Sequence, residues 1–253
     1  MDGMNSFLTW EEDYKSLESE FLDFIKYVPL SNEHEKVWSL KLANLLLLIG
    51  SSIDSFFKCA LASFKSRVEN HYNYKYNYRG ISYTIEDFKA VSNFYEYILK
   101  DVDPNMGLYR NVFEDFYQLS NKSVHVSRTE EKITPFNEWR KDKSPQWWIN
   151  YRQLKHGKFQ NKKLATLEIV LDSLAALFLL NIYTLDNRQY LVDNNVIRSN
   201  ISLNDSKFIY SNDIKTSEPI IAKSELFGFI WSTDSFWEQY PWHILTPGNV
   251  YNL

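Results

Sequence analysis

The segment from Leu164 to Tyr183, LATLEIVLDSLAALFLLNIY, constrains the fold more than any other. Its apolar positions Leu164, Leu167, Val170, Leu171, Leu174, Leu177, Phe178 and Ile182 recur at helical spacing. So little of the circumference is polar that the helix needs burial on several sides. A bilayer does not meet that need: Glu168 and Asp172 fall within the roughly 20 residues a span requires. Other helices must therefore surround it.

The chain supplies them. A run of Val37, Trp38, Leu42, Leu45, Leu46, Ile49, Ile53, Phe56, Phe57, Ala60, Leu61 and Phe64 predicts one long helix, opened by Asn32 with Glu35 as its capping partner. Gly50 is a candidate bend. The helix is apolar on much of its circumference over Leu45 to Ile49, which places it centrally in a bundle; those few residues are too short to span a membrane. A preceding helix is predicted from Thr9, with Glu12 completing its cap, through the stripe Tyr14, Leu17, Phe21, Phe24, Ile25 and Val28 to Pro29. Further helices are expected from Thr84, with Asp87 as capping partner, and over Arg110 to Leu119.

Between them the texture differs. Tyrosines at every second position from 72 to 78 fit a strand or extended loop, and with Lys75 and Arg79 they also suit stacking on single-stranded bases. Ser123 to Trp139 reads as a loop with short strand pairing. Past residue 188 short apolar runs at Tyr190 to Val192, Ile209 to Tyr210, Ile220 to Ala222 and Phe227 to Trp231 alternate with Asn, Asp, Ser and Pro clusters. The expected fold is mainly α: a multi-helix bundle over 1–188, with an irregular, partly β C-terminal region over 189–253 packing on it.

A net charge of −4 excludes whole-surface attraction to nucleic acid or anionic lipid, so any polyanion site must be local. Cys59 is the only cysteine, which rules out an intramolecular disulfide and a thiolate metal cluster and suits a reducing cytosol. The first ten residues lack the basic start and apolar run of a secretion signal, and the expected location is cytoplasmic. Abundant Asn, Lys, Tyr, Ile and Phe with seven Gly points to the codon bias of an A/T-rich genome.

One stretch concentrates local positive charge. Ser144-Pro145 opens and Gly157 closes a short helix, the usual order of Pro at the front and Gly behind. On it Trp147, Tyr151 and Leu154 share an inward face. Trp148, Arg152, Lys155 and His156 share the adjacent one, with the Cβ atoms of Arg152 and His156 roughly 6 Å apart. An Arg holds a phosphate bidentately, and an imidazole moves a proton near neutral pH. That pairing suits RNA cleavage by the adjacent 2′-hydroxyl, which requires no metal. Lys158, Lys162 and Lys163 add to the potential, and a further helix read as starting at Asn161 would offer backbone N–H groups to an anion. The alternative is structural: basic residues in a last turn complement the helix dipole and cap its carbonyls.

The run Trp147-Trp148, Tyr151, Leu154-Lys155-His156 and Lys158, followed by Ala165-Thr166-Leu167 and Ala175-Ala176-Leu177-Phe178-Leu179-Leu180, resembles the WWxxYNxLKHxR … ATL … ALxALFLL pattern of bacterial proteins of the HEPN-like helical superfamily. The resemblance implies a helical bundle, often a homodimer. It also implies a metal-independent endoribonuclease without cofactor, of the kind found in toxin–antitoxin, phage-defence and RNA-processing systems, with RNA and an antitoxin or other protein as partners. Carried over, the site would comprise Arg152, Lys155 and His156 as catalytic residues, with Lys158, Lys162, Lys163 and Trp148 on the nucleic acid. Three residues separate Arg152 from His156, where the superfamily's Arg…His signature has four to six, and the pattern has Asn where this chain has Arg152. The competing expectation is a non-enzymatic bundle that binds a partner protein or nucleic acid.

Other residues carry less. His34, His71, His125 and His243 show no paired metal-ligand spacing. Asp54, beside Ser51 and Ser52, is a candidate buried partner for a base such as His156. The chain has no Gly-rich phosphate loop, nucleophile elbow or dinucleotide fingerprint.

Overall fold

The computed structural model describes residues 13–70, 75–78, 81–84, 105–129, 131–183, 191, 193–198 and 220–231. Within them the fold is mainly α, with an antiparallel sheet to which the C-terminal region contributes strands. The helix starts expected at Thr9 and Thr84 and the apolar run at Ile209 lie outside the described residues or at their edge.

The first helix, α1 (Lys15–Ile25), buries Leu17, Phe21 and Ile25 with Tyr14 just ahead of it, the stripe read from the sequence. Helix α2 (Leu40–Asn70) follows, and its start is a correction. Asn32 opens no helix: residues 31–36 form turns closed by the His34 N–H on the Ser31 carbonyl and the Val37 N–H on the His34 carbonyl. The cap is Ser39, whose hydroxyl accepts from the Leu42 N–H at 3.0 Å. The helix also runs on through Gly50, so that residue serves a contact and does not interrupt the helix.

A hairpin comes next, β1 (Lys75–Tyr78) with β2 (Ile81–Thr84), where the tyrosine alternation predicted extended chain. Thr84 closes that strand. Helix α3 (Met106–Tyr117) starts earlier than expected because the Asn105 side chain accepts from the Leu108 N–H at 3.1 Å. Strands β3 (Val124–Val126) and β4 (Lys132–Ile133) then pair antiparallel, and a short 3-10 turn over Asn137–Lys141 leads into α4 (Gln146–His156). After α4 a single turn, α5 (Lys158–Asn161), and a 3-10 turn at Lys162–Leu164 precede α6 (Leu167–Tyr183).

Helix α6 is the centre of the molecule, and apart from Glu168 and Asp172 every residue in it is buried. A fully buried Leu or Phe contributes roughly 1.5–3 kcal/mol relative to exposure, so this helix anchors the core. It lies along α2 and α4, with Phe178 against Tyr14 just ahead of α1 (ring centroids 5.8 Å). Residues Leu40–Lys58 of α2 are long and apolar enough to cross a membrane, but half of that window is buried inside the protein. A second aromatic knot surrounds Phe57, which stacks on Tyr109 at 4.5 Å and meets Phe113, Phe136 and Trp139.

The larger sheet has the order β4-β3-β7-β6-β5, with β5 (Ile197–Arg198), β6 (Ile220–Lys223) and β7 (Phe227–Trp231). Strand β3, from before residue 188, pairs with β7, from after it, through His125 opposite Gly228. One sheet face packs on α6 through Phe178–Phe227 and Tyr183–Phe229. On the other, Ile221 and Ile230 are exposed. Of the apolar run at 190–192 only Leu191 is among the described residues; it is helical, as is Asp193, and β5 begins later.

Candidate functional site

Helix α4 is fixed by its inward face. The Trp147 Nε1–H donates to the Pro135 carbonyl at 2.7 Å, and Trp147 meets Phe136 edge-on. The Asn150 amide donates to the Leu164 carbonyl at 3.0 Å and accepts from the Gln146 amide at 2.7 Å. Tyr151 lies against Gly50 of α2, where a Cβ on Gly50 would come within 2.3 Å of the Tyr151 ring. These contacts hold the outward face in a fixed orientation.

The end of α4 is secured twice. The Gly157 N–H and the Asn161 Nδ2 both donate to the Gln153 carbonyl, at 3.0 and 2.8 Å. Asn161 therefore caps the end of α4 and starts no new helix, contrary to the sequence reading. Helix α6 begins at Leu167, and its first N–H groups are already spent: Leu167 donates to the Val37 carbonyl and Glu168 to the Glu35 carbonyl. The Ile169 N–H points to the Thr166 hydroxyl. The expected anion site at that helix start is filled by the protein's own oxygens.

On the outward face an open cleft of about 440 Å³ is lined by Arg152 and His156 together with Ser144, Trp148, Gln153 and Asn161. Both Arg152 and His156 are exposed. No Asp or Glu occurs from Lys143 to Leu167, so the wall of this cleft is positive in a chain that is acidic overall.

The remaining basic residues are placed elsewhere. The Lys155 ammonium sits over the Tyr151 ring at 5.6 Å from its centroid, and Lys158 donates to the Asn44 side chain at 2.7 Å. Lys162 and Lys163 both lie over the Trp38 ring, at 5.7 and 5.6 Å. The single basic cluster expected from the sequence is thus divided: the Arg152–His156 pair lines the cleft, Lys155 lies over Tyr151 on its own helix, and Lys158, Lys162 and Lys163 are directed to α2 and Trp38.

Trp148 is a further correction. It is only 5 % exposed and packs between Trp147 and Tyr151, so its ring is not open to stack on a base. An exposed aromatic next to α4 is Phe159, 87 % accessible on the single turn after Gly157; its place between Lys158 and Lys162 was the available signal. Asp54 is not a partner of His156 either. It pairs with Lys58 at 2.6 Å and accepts from the Tyr109 hydroxyl, whose ionisation burial and this carboxylate push well up. His34 is bonded to the Pro29 carbonyl, and His125 stands opposite Lys132 in the sheet. His71 and His243 lie outside the described residues. Among the described residues no group of three or more His, Cys, Asp or Glu side chains is placed to hold a metal ion.

No protein-family model, curated protein or solved structure matches this chain.

Proposed function

We propose that this chain is a HEPN-like protein of a bacterial defence or stress system, acting on RNA in the cytoplasm as a metal-independent endoribonuclease. The observation that carries the reading is the shared cleft: Arg152 and His156, one helical turn apart, line the same open, acid-free wall. In the proposed reaction Arg152 holds the non-bridging oxygens of a phosphodiester and His156 takes the proton of the neighbouring 2′-hydroxyl. The 2′-oxygen bonds to phosphorus, the bond to the 5′-oxygen breaks, and that oxygen leaves with a proton from water. A positioned base of this kind is worth about 10²–10⁴ in rate.

The test is cleavage of labelled RNA by purified protein. His156→Ala is expected to abolish cleavage while retaining RNA binding, and Arg152→Ala to weaken both. Unchanged cleavage in His156→Ala overturns the enzymatic reading.

A second reading has its own support. The Lys158–Asn44 bond brings Phe159 beside the α2 face on which Leu40 and Leu48 flank Asn44, and all three apolar side chains are more than half exposed. Such a basic, apolar-studded surface suits a protein partner, an antitoxin or a second copy of the chain. Loss of complex formation in Phe159→Ser with RNA cleavage absent throughout would favour it.

A further inference from the structure

A separate site lies on the opposite terms of charge. Glu18, in the first turn of α1, is 5 % exposed, and both of its hydrogen bonds fall on one oxygen. The Tyr14 hydroxyl and the Leu226 N–H each donate to Oε1 at 2.9 Å. Among the described residues neither a hydrogen bond to Oε2 nor an ion pair to Glu18 is found. A carboxylate buried to this degree ordinarily has a cationic partner.

Glu18 lines a cleft of about 560 Å³ between α1 and the β6–β7 hairpin, a size suited to a small molecule. Oε2, which takes part in neither bond, is the carboxylate oxygen free to accept from a ligand in that cleft. Lys223 and Glu225, both exposed, line it from the hairpin, and Lys15 lines it from α1. The lining therefore carries two charges of each sign, Lys15 and Lys223 against Glu18 and Glu225. A simple anion would meet the Glu18 carboxylate without compensation, and a simple cation would leave the Lys223 ammonium unanswered. A molecule bearing both charges satisfies both.

We propose that this cleft binds a free amino acid or similarly small zwitterion, its ammonium on Glu18 Oε2 and its carboxylate on Lys223. Because Glu18 also ties α1 to the β6–β7 turn at Leu226, the bound molecule clamps these two elements together and raises stability by mass action. This proposal is independent of the Arg152–His156 cleft.

The experiment is thermal unfolding and calorimetric titration of the full chain with leucine, lysine, glutamate and asparagine as free amino acids, and with butylamine and butyrate as single-charge controls. At least one amino acid is expected to raise Tm, with neither control doing so at the same concentration. Glu18→Gln keeps an oxygen for Tyr14 and Leu226 but removes the charge; it is expected to weaken binding about tenfold or more. Lys223→Gln, whose side chain takes part in neither hydrogen bond of that tie, is expected to weaken it similarly without lowering the unliganded Tm. Absence of binding by every amino acid, binding unchanged in both variants, or equal binding of butylamine would overturn the proposal.

Discussion

The ring of Tyr151 fills the space that a side chain on Gly50 would need, with Cδ2 2.3 Å and Cγ 2.4 Å from an ideal Cβ. The contact brings α4 against α2 and so fixes which way Arg152 and His156 face. Alanine is the better helix former by about 1 kcal/mol. Overlap with the atoms of a buried ring outweighs that, and Gly50→Ala is expected to lose about 1–3 kcal/mol in chemical denaturation. Tyr151→Leu in the Gly50→Ala background should recover part of the loss; a Gly50→Ala protein as stable as the parent would contradict the packing.

Asp172 is a pH-dependent weak point in α6. Its carboxyl is pushed up to about 7, chiefly by burial and then by Glu168, Glu138 and Glu35, with Lys36 opposing. The folded group thus holds its proton where the unfolded one, near pH 4, has released it. Folding is favoured by this group at low pH, and the contribution is lost as pH rises toward about 7, with a slope of up to about 1.4 kcal/mol per pH unit. Asp172→Asn should remove that slope. Denaturation midpoints measured from about pH 5 to about pH 8 are expected to fall in the parent relative to the variant, and parallel curves would refute the assignment.

The start of α2 separates two helix caps that look alike in sequence. Ser39 accepts from the Leu42 N–H, whereas Asn32 lies in a turn ahead of the helix. Ser39→Ala is expected to cost about 1 kcal/mol in equilibrium unfolding, and Asn32→Ala less than about 0.5 kcal/mol. The reverse order would restore the longer helix.

Apolar periodicity made the helices legible, and it failed where tertiary contacts set the ends. Asn32 with Glu35 has the spacing of a capping box, yet that segment instead presents the Glu35 and Val37 carbonyls to the first turn of α6. Asn161 reads as a helix start because it precedes Leu164, but its amide caps the previous helix at Gln153. Such choices depend on residues more than a hundred positions apart or on a turn's local geometry, neither of which a spacing records. The candidate site divides the same way. Arg152 and His156 at i and i+4 were bound to share a face. The burial of Trp148 and the diversion of Lys162 and Lys163 to Trp38 needed the packing of neighbouring helices.

That division yields a contrast between two cations on one helix. Arg152 lines the cleft with His156, while the Lys155 ammonium lies over Tyr151 and is absent from the cleft lining. If RNA is held at the cleft, Arg152→Ala removes a charge-assisted contact to phosphate and is expected to weaken RNA binding about tenfold or more. Lys155→Ala removes an exposed cation–π contact worth about 0.5–1 kcal/mol and should lower stability slightly, with RNA affinity changed less than about threefold. Filter binding at fixed low salt, repeated at higher salt, reads both effects, since removing a cation that neutralises a phosphate flattens the salt dependence of affinity. A larger defect in Lys155→Ala than in Arg152→Ala would move the RNA track off the cleft and onto the Lys155 side of α4.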